Sequence, residues 1–344
     1  MSKNGSSKAK KLIIIIPVVL VALVALVLVT ARFYFRVPVM AYYNASEKAF
    51  EIPGLSDNLV PQGLDYDPNS GTYLVGGYQK DGSPSRVYRV DKQSGKSDGY
   101  VVLGDENGNG VSPHAGGLAI NGDFLFVAGD EDAGIYVYRL SEVLSAKSGD
   151  VLKRITCFRT LFGQDKLNVA FLFFTNEGLI VGEFYRVPNY MTPDTHVFKT
   201  QMGEDNHALA LLYRFSNDGT AVCGLETQPS KAYSLPGLVQ GMLIQDGMIW
   251  VSQSYGTAQS VIGAYKVDEE SKVGTLPTLH GDIPVYSLDS WNLKWSIDAP
   301  PMSEEIIYVD GKLLIMCESA SNKYFFGNLT GGRYCYATDV SKLI

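Results

Sequence analysis

Eight polar residues stand at corresponding places in a strand pattern that recurs along the chain, and their types are those of a binding site. The starts of the predicted first strands hold Gln62, His114, Asn168, Gln240 and Glu304. The ends of the predicted second strands hold Glu183, Gln253 and Glu318. A buried carboxyl or amide group left without a partner costs about 1–3 kcal/mol. We therefore predict that the amides and carboxyls of this set bind a ligand at one end of the fold, with a ring of bound water as the alternative.

Two kinds of chemistry suit these residue types. Oxygen ligands from carboxylates and amides are those that calcium prefers, so Glu304, Asn168 and Glu183 are the candidate ligands if calcium binds. A histidine beside such a site can act as a general base, and His114 is the candidate. A pair of carboxyl groups about 5–9.5 Å apart would instead suit glycoside hydrolysis, and the sequence does not give that distance.

The stretch from 104 to 117, GDENGNGVSPHAGG, contains half of a calcium-binding loop. Asp105, Asn107, Asn109 and Gly110 match its first half, but Gly116 stands where the loop requires a bidentate Glu. Asp, Asn and Gly are also the residues that ordinary turns favour. We predict a turn here, with calcium as the alternative.

A strand–turn–strand unit recurs five times and is expected to position these residues. The copies begin near 61, 115, 169, 239 and 303, and their corresponding positions are Gln62, Gly116, Ala170, Gln240 and Glu304. A repeat of roughly 50–70 residues with about four strands is typical of a β-propeller blade. The pattern predicts an all-β fold, a five-bladed propeller, with six blades as the alternative.

The last copy has only three strands before the chain ends. The segment 48–55 precedes the first copy and is predicted to supply the fourth strand, which would close the ring and leave no long open edge. Two long loops, 185–207 and 320–333, are predicted to reach the same face as the polar set and form a lid. The insertion 268–294 should lie on the opposite face, with His280 and Trp291 away from the site.

The N-terminal region differs from the rest of the chain. Residues 1–11 form a basic tail, and 12–31 form an apolar run long enough to span a bilayer. Residues 32–47 are a predicted juxtamembrane linker, and 48–344 are the propeller. The flanking lysines predict a cytoplasmic N-terminus and a propeller outside the cell membrane, held to the lipid bilayer by residues 12–31. Secretion after cleavage near Ala31 is the alternative.

The charge distribution excludes one class of partner. Six of the 29 basic residues and none of the 36 acidic residues lie in the first 36 positions, so the remainder is more acidic than the whole-chain net charge of −7. Nucleic acid is therefore not expected as a partner. Of the four cysteines, Cys317 and Cys335 are predicted on neighbouring strands, where either a disulfide or two buried thiols would fit.

The corner sequences PQG, HAGG, VQG and CESA resemble those of poorly characterised exported bacterial propellers. More distantly, the repeats over 50–340 resemble the superfamily of gluconolactonases, paraoxonases and strictosidine synthases. That resemblance implies a calcium ion held in the channel by Glu, Asn and Asp side chains. Gln62 stands where those hydrolases carry a Glu, and a complete ligand set cannot be placed.

Two functions follow as expectations. The first is a membrane-anchored extracytoplasmic propeller that binds a small molecule, a glycan or a protein at its channel mouth. The second is a calcium-dependent hydrolase of the lactonase or esterase kind with its site in the channel. The sequence has no nucleophile elbow, P-loop or zinc-protease motif that would favour another enzyme class.

Overall fold

The computed structural model describes residues 4–129, 134–219 and 221–344, with side chains from residue 15 onward. Two helices come first, α1 (Asn4–Arg36) and α2 (Met40–Asn44). Ile15–Arg36 is apolar and long enough to cross a membrane, and none of its apolar window is buried in the protein. This helix fits either an N-terminal membrane anchor or a signal sequence.

Five sheets follow α2 and form the blades of a propeller, as the repeats predicted. Strand β1 (Ser46–Glu51) precedes blade 1, which contains β2 (Leu59–Asp67), β3 (Thr72–Gln79), β4 (Arg86–Asp91) and β5 (Ser97–Leu103). Blade 2 contains β6 (Leu118–Asn121), β7 (Phe124–Ala128) and β8 (Ile135–Arg139), followed by α3 (Leu140–Ser145), β9 (Val151–Leu152) and β10 (Thr156–Phe158). Strand β9 leaves blade 2 and pairs with β5 at the outer edge of blade 1.

Blade 3 is preceded by a short hairpin of β11 (Leu161–Phe162) and β12 (Asp165–Lys166). It contains β13 (Val169–Phe174), β14 (Gly178–Glu183), β17 (Ala208–Arg214) and β18 (Lys231–Leu235), with the hairpin β15 (Phe198–Lys199) and β16 (Asp205–Asn206) inserted after β14. Blade 4 contains β19 (Val239–Gln245), β20 (Met248–Gln253), β21 (Ser260–Tyr265) and β24 (Leu293–Ala299). Blade 5 contains β25 (Ser303–Val309), β26 (Lys312–Cys317) and β27 (Tyr334–Thr338), with α4 (Gly327–Thr330) before β27.

The ring closes through the N-terminal strand. Strand β1 pairs antiparallel with β27, with Ser46 opposite Thr338 and Glu51 opposite Tyr334. The predicted segment 48–55 is shifted by a few residues from the observed strand, but its role is the predicted one. Cys317 and Cys335 lie on the adjacent strands β26 and β27 as buried thiols without a disulfide.

The insertion in blade 4 builds part of blade 3. It forms a hairpin of β22 (Lys272–Thr278) and β23 (Gly281–Ser287), and β23 pairs parallel with β18. The hairpin therefore extends blade 3 to six strands along its outer edge. The sequence predicted an insertion on the face opposite the site. It did not predict that a hairpin from blade 4 would pair with the outer strand of blade 3.

Each inner strand lies close to the inner strand of the next blade. A Cβ atom on Gly63 would lie 2.8 Å from the backbone nitrogen of Leu118, and one on Gly117 would lie 2.8 Å from the Cα atom of Phe171. A Cβ atom on Gly241 would lie 2.8 Å from the Cα atom of Glu305. Glycine at these corresponding positions therefore allows the inner strands to converge around a narrow channel.

Four inner strands carry an extra residue at the same point. The pairing shifts between Pro61 and Gly63 in blade 1, and at corresponding points in blades 3, 4 and 5. Such β-bulges change the direction of a side chain and are common beside functional sites. The bulged segments contain Gln62, Ala170, Gln240 and Glu304.

Candidate ligand-binding cavity

A cavity of about 620 Å³ opens where the inner strands begin, on the face that we call the top. Six of the eight predicted site residues line it: Gln62, His114, Asn168, Gln240, Glu304 and Glu318. All five corresponding positions of the repeats also line it, since Gly116 and Ala170 complete the ring. The bulges lie at four of these five positions, and Gly116 in blade 2 reaches the wall without one.

The predicted second-strand ends require a correction. Strand pairing places Glu183 opposite Val169 and Gln253 opposite Val239, whereas Cys317, not Glu318, holds the same place opposite Ser303. Glu318 is thus one residue further along, and successive strand residues point to opposite faces. The residues that match Glu318 and line the cavity are Tyr78, Phe184 and Ser254.

Glu183 and Gln253 accordingly lie outside the cavity lining. The side-chain nitrogen of Gln253 donates to the carbonyl of Gly237 at 2.9 Å. The Oε1 atom of Glu183 lies 2.7 Å from Nδ1 of His196 and accepts from the backbone N–H of Leu209 at 3.0 Å. Both side chains hold loops in place at the top of their blades.

A chain of hydrogen bonds crosses one wall of the cavity. Nε2 of His114 lies 2.6 Å from Oε1 of Gln62, and Nε2 of Gln62 donates to Oε2 of Glu318 at 2.9 Å. Oε1 of Glu318 accepts from the hydroxyl of Tyr324 at 2.6 Å. Because Gln62 uses its nitrogen as a donor, its oxygen accepts from His114, which places a proton on Nε2 and leaves Nδ1 as the acceptor of the neutral ring.

His114 stacks on Tyr78, with ring centroids 4.8 Å apart, while one side of its ring remains open to the cavity. Desolvation by the wall, followed by the charge of Lys323, lowers the pKa of His114 to about 4. Lys323 itself donates to the hydroxyl of Tyr78. His114 is therefore neutral near pH 7 and offers an acceptor nitrogen.

Glu304 and Glu318 form an acid pair with unequal surroundings. Glu304 is 2% exposed, lines the cavity, and has no hydrogen-bond or ion-pair partner among the described residues. Burial, then the charges of Glu318 and Glu305, raise the pKa of Glu304 well above its usual range. Burial also raises the pKa of Glu318, but the bonds from Tyr324 and Gln62 oppose this. Since both oxygens of Glu318 accept hydrogen bonds, we assign the proton of the pair to Glu304.

Next to Glu304 in the chain, and outside the cavity lining, is a further buried carboxyl group, Glu305. Its oxygens accept from the backbone N–H groups of Leu64 at 2.8 Å, Leu118 at 2.9 Å and Leu172 at 3.4 Å. These three leucines hold corresponding positions in blades 1, 2 and 3. Burial raises the pKa of Glu305, and these N–H donors counteract the rise. Glu305 joins four blades at the axis, and the sequence did not distinguish it from Glu304.

A separate cluster lies behind the cavity in blade 3. His196 is fully buried, with Nδ1 on Glu183 and Nε2 3.3 Å from Oδ2 of Asp165. Burial lowers the pKa of His196, but Glu183 and Asp165 outweigh it, so that its pKa is raised. The imidazole, held between Glu183 and Asp165, thus fixes the loop 185–207 between blade 3 and the hairpin at Asp165.

The predicted calcium ligands do not converge. Glu304 and Asn168 line the cavity, but Glu183 is engaged with His196. Among the residues that the structure describes, no group of three or more His, Cys, Asp or Glu side chains has an arrangement suited to a metal ion. The residues present therefore do not fit the predicted three-ligand set, and calcium binding stays a prediction.

The half-calcium loop forms a turn. Oδ1 of Asp105 accepts from the backbone N–H groups of Asn107 at 2.9 Å and of Asn109 at 2.8 Å. Both bonds are exposed on the outside of the molecule. An aspartate that accepts hydrogen bonds from the backbone a few residues further on is a common feature of turns.

The sequence predicts only part of the aromatic wall. Four tyrosines line the cavity besides the polar ring: Tyr78, Tyr190, Tyr255 and Tyr324. Tyr190 and Tyr324 come from the loops 185–207 and 320–333 that were predicted to form a lid, whereas Tyr78 and Tyr255 were not predicted at the site. Tyr190 and Lys323 interact across the mouth.

No protein-family model and no curated protein matches the chain. Among solved structures, it is similar to a PQQ-bound aldose sugar dehydrogenase from Streptomyces coelicolor, with 14% identity and a TM-score of 0.44 over 85% of this chain and 95% of that chain. A glutaminyl cyclase from Myxococcus xanthus gives 11% identity and a TM-score of 0.41 over 85% and 94%. A putative 6-phosphogluconolactonase from Bacteroides uniformis gives 12% and 0.37 over 74% and 77%. These likenesses are distant, and the assignment of the propeller rests on the sheet topology.

Proposed function

We propose that the protein is an extracytoplasmic propeller that binds a small, uncharged, oxygen-rich molecule in the cavity at its channel mouth. The observation that carries the proposal is Glu304, which is buried, unpartnered and directed into the cavity. A buried polar group without a partner is costly, so a ligand that bonds to it gains free energy.

The surroundings of Glu304 specify the ligand chemistry. A protonated Glu304 donates a hydrogen bond, whereas Glu318 and Nδ1 of His114 accept one. Amides from Gln240 and Asn168 can do both. Tyrosine rings on the wall provide flat apolar surfaces. Hydroxyl and ether oxygens on a compact ring, as in a neutral sugar or a lactone, match this set of donors and acceptors.

A second candidate is a hydrolase that uses the same acid pair. A carboxylic acid that keeps its proton near pH 7 can act as a general acid, and a charged neighbour can act as a base or nucleophile. The unequal surroundings of Glu304 and Glu318 favour this candidate over a calcium-dependent reaction.

Two substitutions of Glu304 separate binding from catalysis. Glu304→Gln keeps a hydrogen-bond donor but has no acidic proton, whereas Glu304→Leu has neither. The full-length protein would be melted with millimolar neutral sugars and lactones, since a ligand at a hundredfold excess over its dissociation constant stabilises by about 2.7 kcal/mol. We expect a ligand to stabilise the wild type and Glu304→Gln but not Glu304→Leu.

Product analysis on the same proteins addresses the hydrolase. Turnover in the wild type that is lost in Glu304→Gln, with binding kept, would identify an enzyme. Glu226→Gln, on an exposed carboxylate, is the matched control and should behave as the wild type. If no neutral ligand distinguishes the wild type from Glu304→Leu, the proposed binding mode is wrong.

A further inference from the structure

We infer that the top face of the propeller rests on the lipid bilayer, with the cavity mouth turned towards the membrane. The inference goes beyond the proposed function and does not depend on which ligand the cavity takes. Three observations carry it: an apolar patch at the mouth, the path of the N-terminal helix, and the level of its terminal aromatic residues.

The first observation is a patch of exposed large apolar side chains around the mouth. Phe325 is 92% exposed and Phe326 50%, and both directly follow Tyr324 in the cavity wall. We call this set the mouth patch; its members are Val187, Tyr190, Met191, Tyr255, Phe325 and Phe326, all at least 42% exposed. Contiguous exposed apolar surface of this kind marks contact sites with proteins or membranes.

The opposite face has a different composition. The turns that join first and second strands there are formed by polar residues and glycines: 68–71, 121–123, 175–177, 245–247 and 310–311. These turns present no exposed large apolar side chain, in contrast to the loops of the cavity face. The exposed apolar residues Phe215, Leu279 and Trp291 lie instead in the connections between third and fourth strands.

The second observation is the route by which α1 reaches the propeller. Helix α1 contacts α4, which lies in the same top loop as Phe325 and Phe326. The chain then follows the outside of blades 4 and 5 through α2, where Val39 and Tyr42 are buried, and enters β1 at the lower end of β27. The helix therefore arrives from the top side of the propeller.

From residue 15 onward, only the last turns of α1 have partly buried side chains. Ala31, Phe35 and Arg36 are partly buried, and Arg36 lies over the ring of Tyr43 at 4.5 Å. The apolar residues before them are exposed along the helix. A helix whose apolar part extends from the top side would place the bilayer on that side.

The third observation concerns aromatic residues at one level. Phe33 and Tyr34 are 62% and 73% exposed at the end of α1, close to the contact with α4. Aromatic residues, Tyr and Trp above all, are enriched at membrane–water interfaces. The end of the apolar helix and the mouth patch thus lie at the same height along the membrane normal, which fits the headgroup region of the bilayer.

The occupant of the patch is a bilayer of low charge. The acidic propeller opposes attraction to anionic lipids, but insertion of aromatic side chains depends on apolar area and not on lipid charge. In this orientation, Lys323 and Arg186 lie near the headgroups at the mouth, and the cavity receives molecules that are carried at the membrane surface.

The test places a photoreactive benzoyl-phenylalanine at position 325 or 326 of the full-length protein in phosphatidylcholine nanodiscs. Position 70, an exposed turn residue on the opposite face, is the control. A blade of about six residues separates the faces by roughly 20 Å, so we expect lipid adducts at 325 and 326 in excess of those at 70 by roughly an order of magnitude. The adducts are identified by mass.

Position 191 gives an independent reading from the other loop and should also form lipid adducts. Equal yields at 325 and 70 would overturn the inference. Adducts with protein in place of lipid at 325 and 191 would also overturn it, since they would show the patch to be a protein interface. Neither result bears on ligand binding in the cavity, so failure here and failure of the proposed function are distinguishable.

Discussion

The tops of β14 and β26 each carry a glutamate, and the two glutamates differ in what surrounds them. Glu183 faces a buried histidine and a backbone N–H, which both bond to its Oε1 atom. Glu318 lies beside Glu304 and opens to the cavity, and among the residues that the structure describes Gln62 and Tyr324 donate hydrogen bonds to it. The bonds of Glu183 fix a loop, whereas Glu318 remains able to accept a hydrogen bond from a ligand in the cavity. A residue type at the end of a blade strand therefore does not determine its role; the partner does.

The largest expected effect that separates the two glutamates is on stability. Glu183→Ala removes the partner of a buried imidazole, and breaking a buried ion pair costs about 3–5 kcal/mol. Glu318→Ala removes hydrogen bonds at a cavity wall, where the loss is about 1 kcal/mol. Urea unfolding of the full-length protein measures both, with Glu226→Ala as the exposed control. Equal losses for the two variants would contradict the contrast.

The pH dependence of stability should differ between the two clusters. His196 has a raised pKa in the fold, so its contribution is complete below about 6.5 and is lost as the pH rises through the raised value. Glu304 also has a raised pKa, so its protonated form contributes below about 4.5 and that contribution is lost as the pH rises towards its own raised value.

Melting temperatures between about pH 4 and about pH 9 would resolve these titrations. We expect His196→Gln to remove a loss of stability on the neutral to alkaline side. We expect Glu304→Gln to remove a loss that begins at lower pH. If the melting temperatures of both variants change with pH as those of the wild type do, neither His196 nor Glu304 has the raised pKa that its surroundings imply.

The smallest expected effect is that of calcium. Because Glu183 is engaged elsewhere and Glu304 holds a proton, millimolar calcium should leave the melting temperature as it is with a chelator, within about 1 °C. A rise of several degrees that disappears in Glu304→Gln would instead establish a calcium site beside Glu304. Such a result would show that Glu304, like Glu183, has a positively charged partner, and the contrast between the two sites would be lost.

The repeats predicted the blades and most of the cavity ring. Gln62, Gln240 and Glu304 recur at one strand position because the channel mouth needs polar groups there, and that periodicity is visible in the chain. The ends of the second strands were predicted less accurately. Glu183 and Gln253 lie 13 residues after Ala170 and Gln240, whereas Glu318 lies 14 residues after Glu304, so the spacing in the chain contains the offset that the prediction overlooked. Cys317 stands 13 residues after Glu304, and its pairing with Ser303 confirms that it holds the corresponding place.

Other features depend on contacts between distant segments. Glu305 accepts bonds from three blades, yet in the sequence it is only the neighbour of Glu304. The hairpin at 272–287 belongs by position to blade 4 but pairs with β18 of blade 3. His196 looked like a loop residue of a lid, and its burial between two acids follows from the hairpin at Asp165. Local pattern does not encode such partners.

The pairing of β1 with β27 has a consequence for how the chain is made. Ser46 is made 292 residues before its partner Thr338. The strand that closes the ring therefore stays unpaired while the five blades are made, and closing so long a loop is entropically costly and slow. Ring closure thus follows the synthesis of the blades, and the open ring is the state most exposed to aggregation.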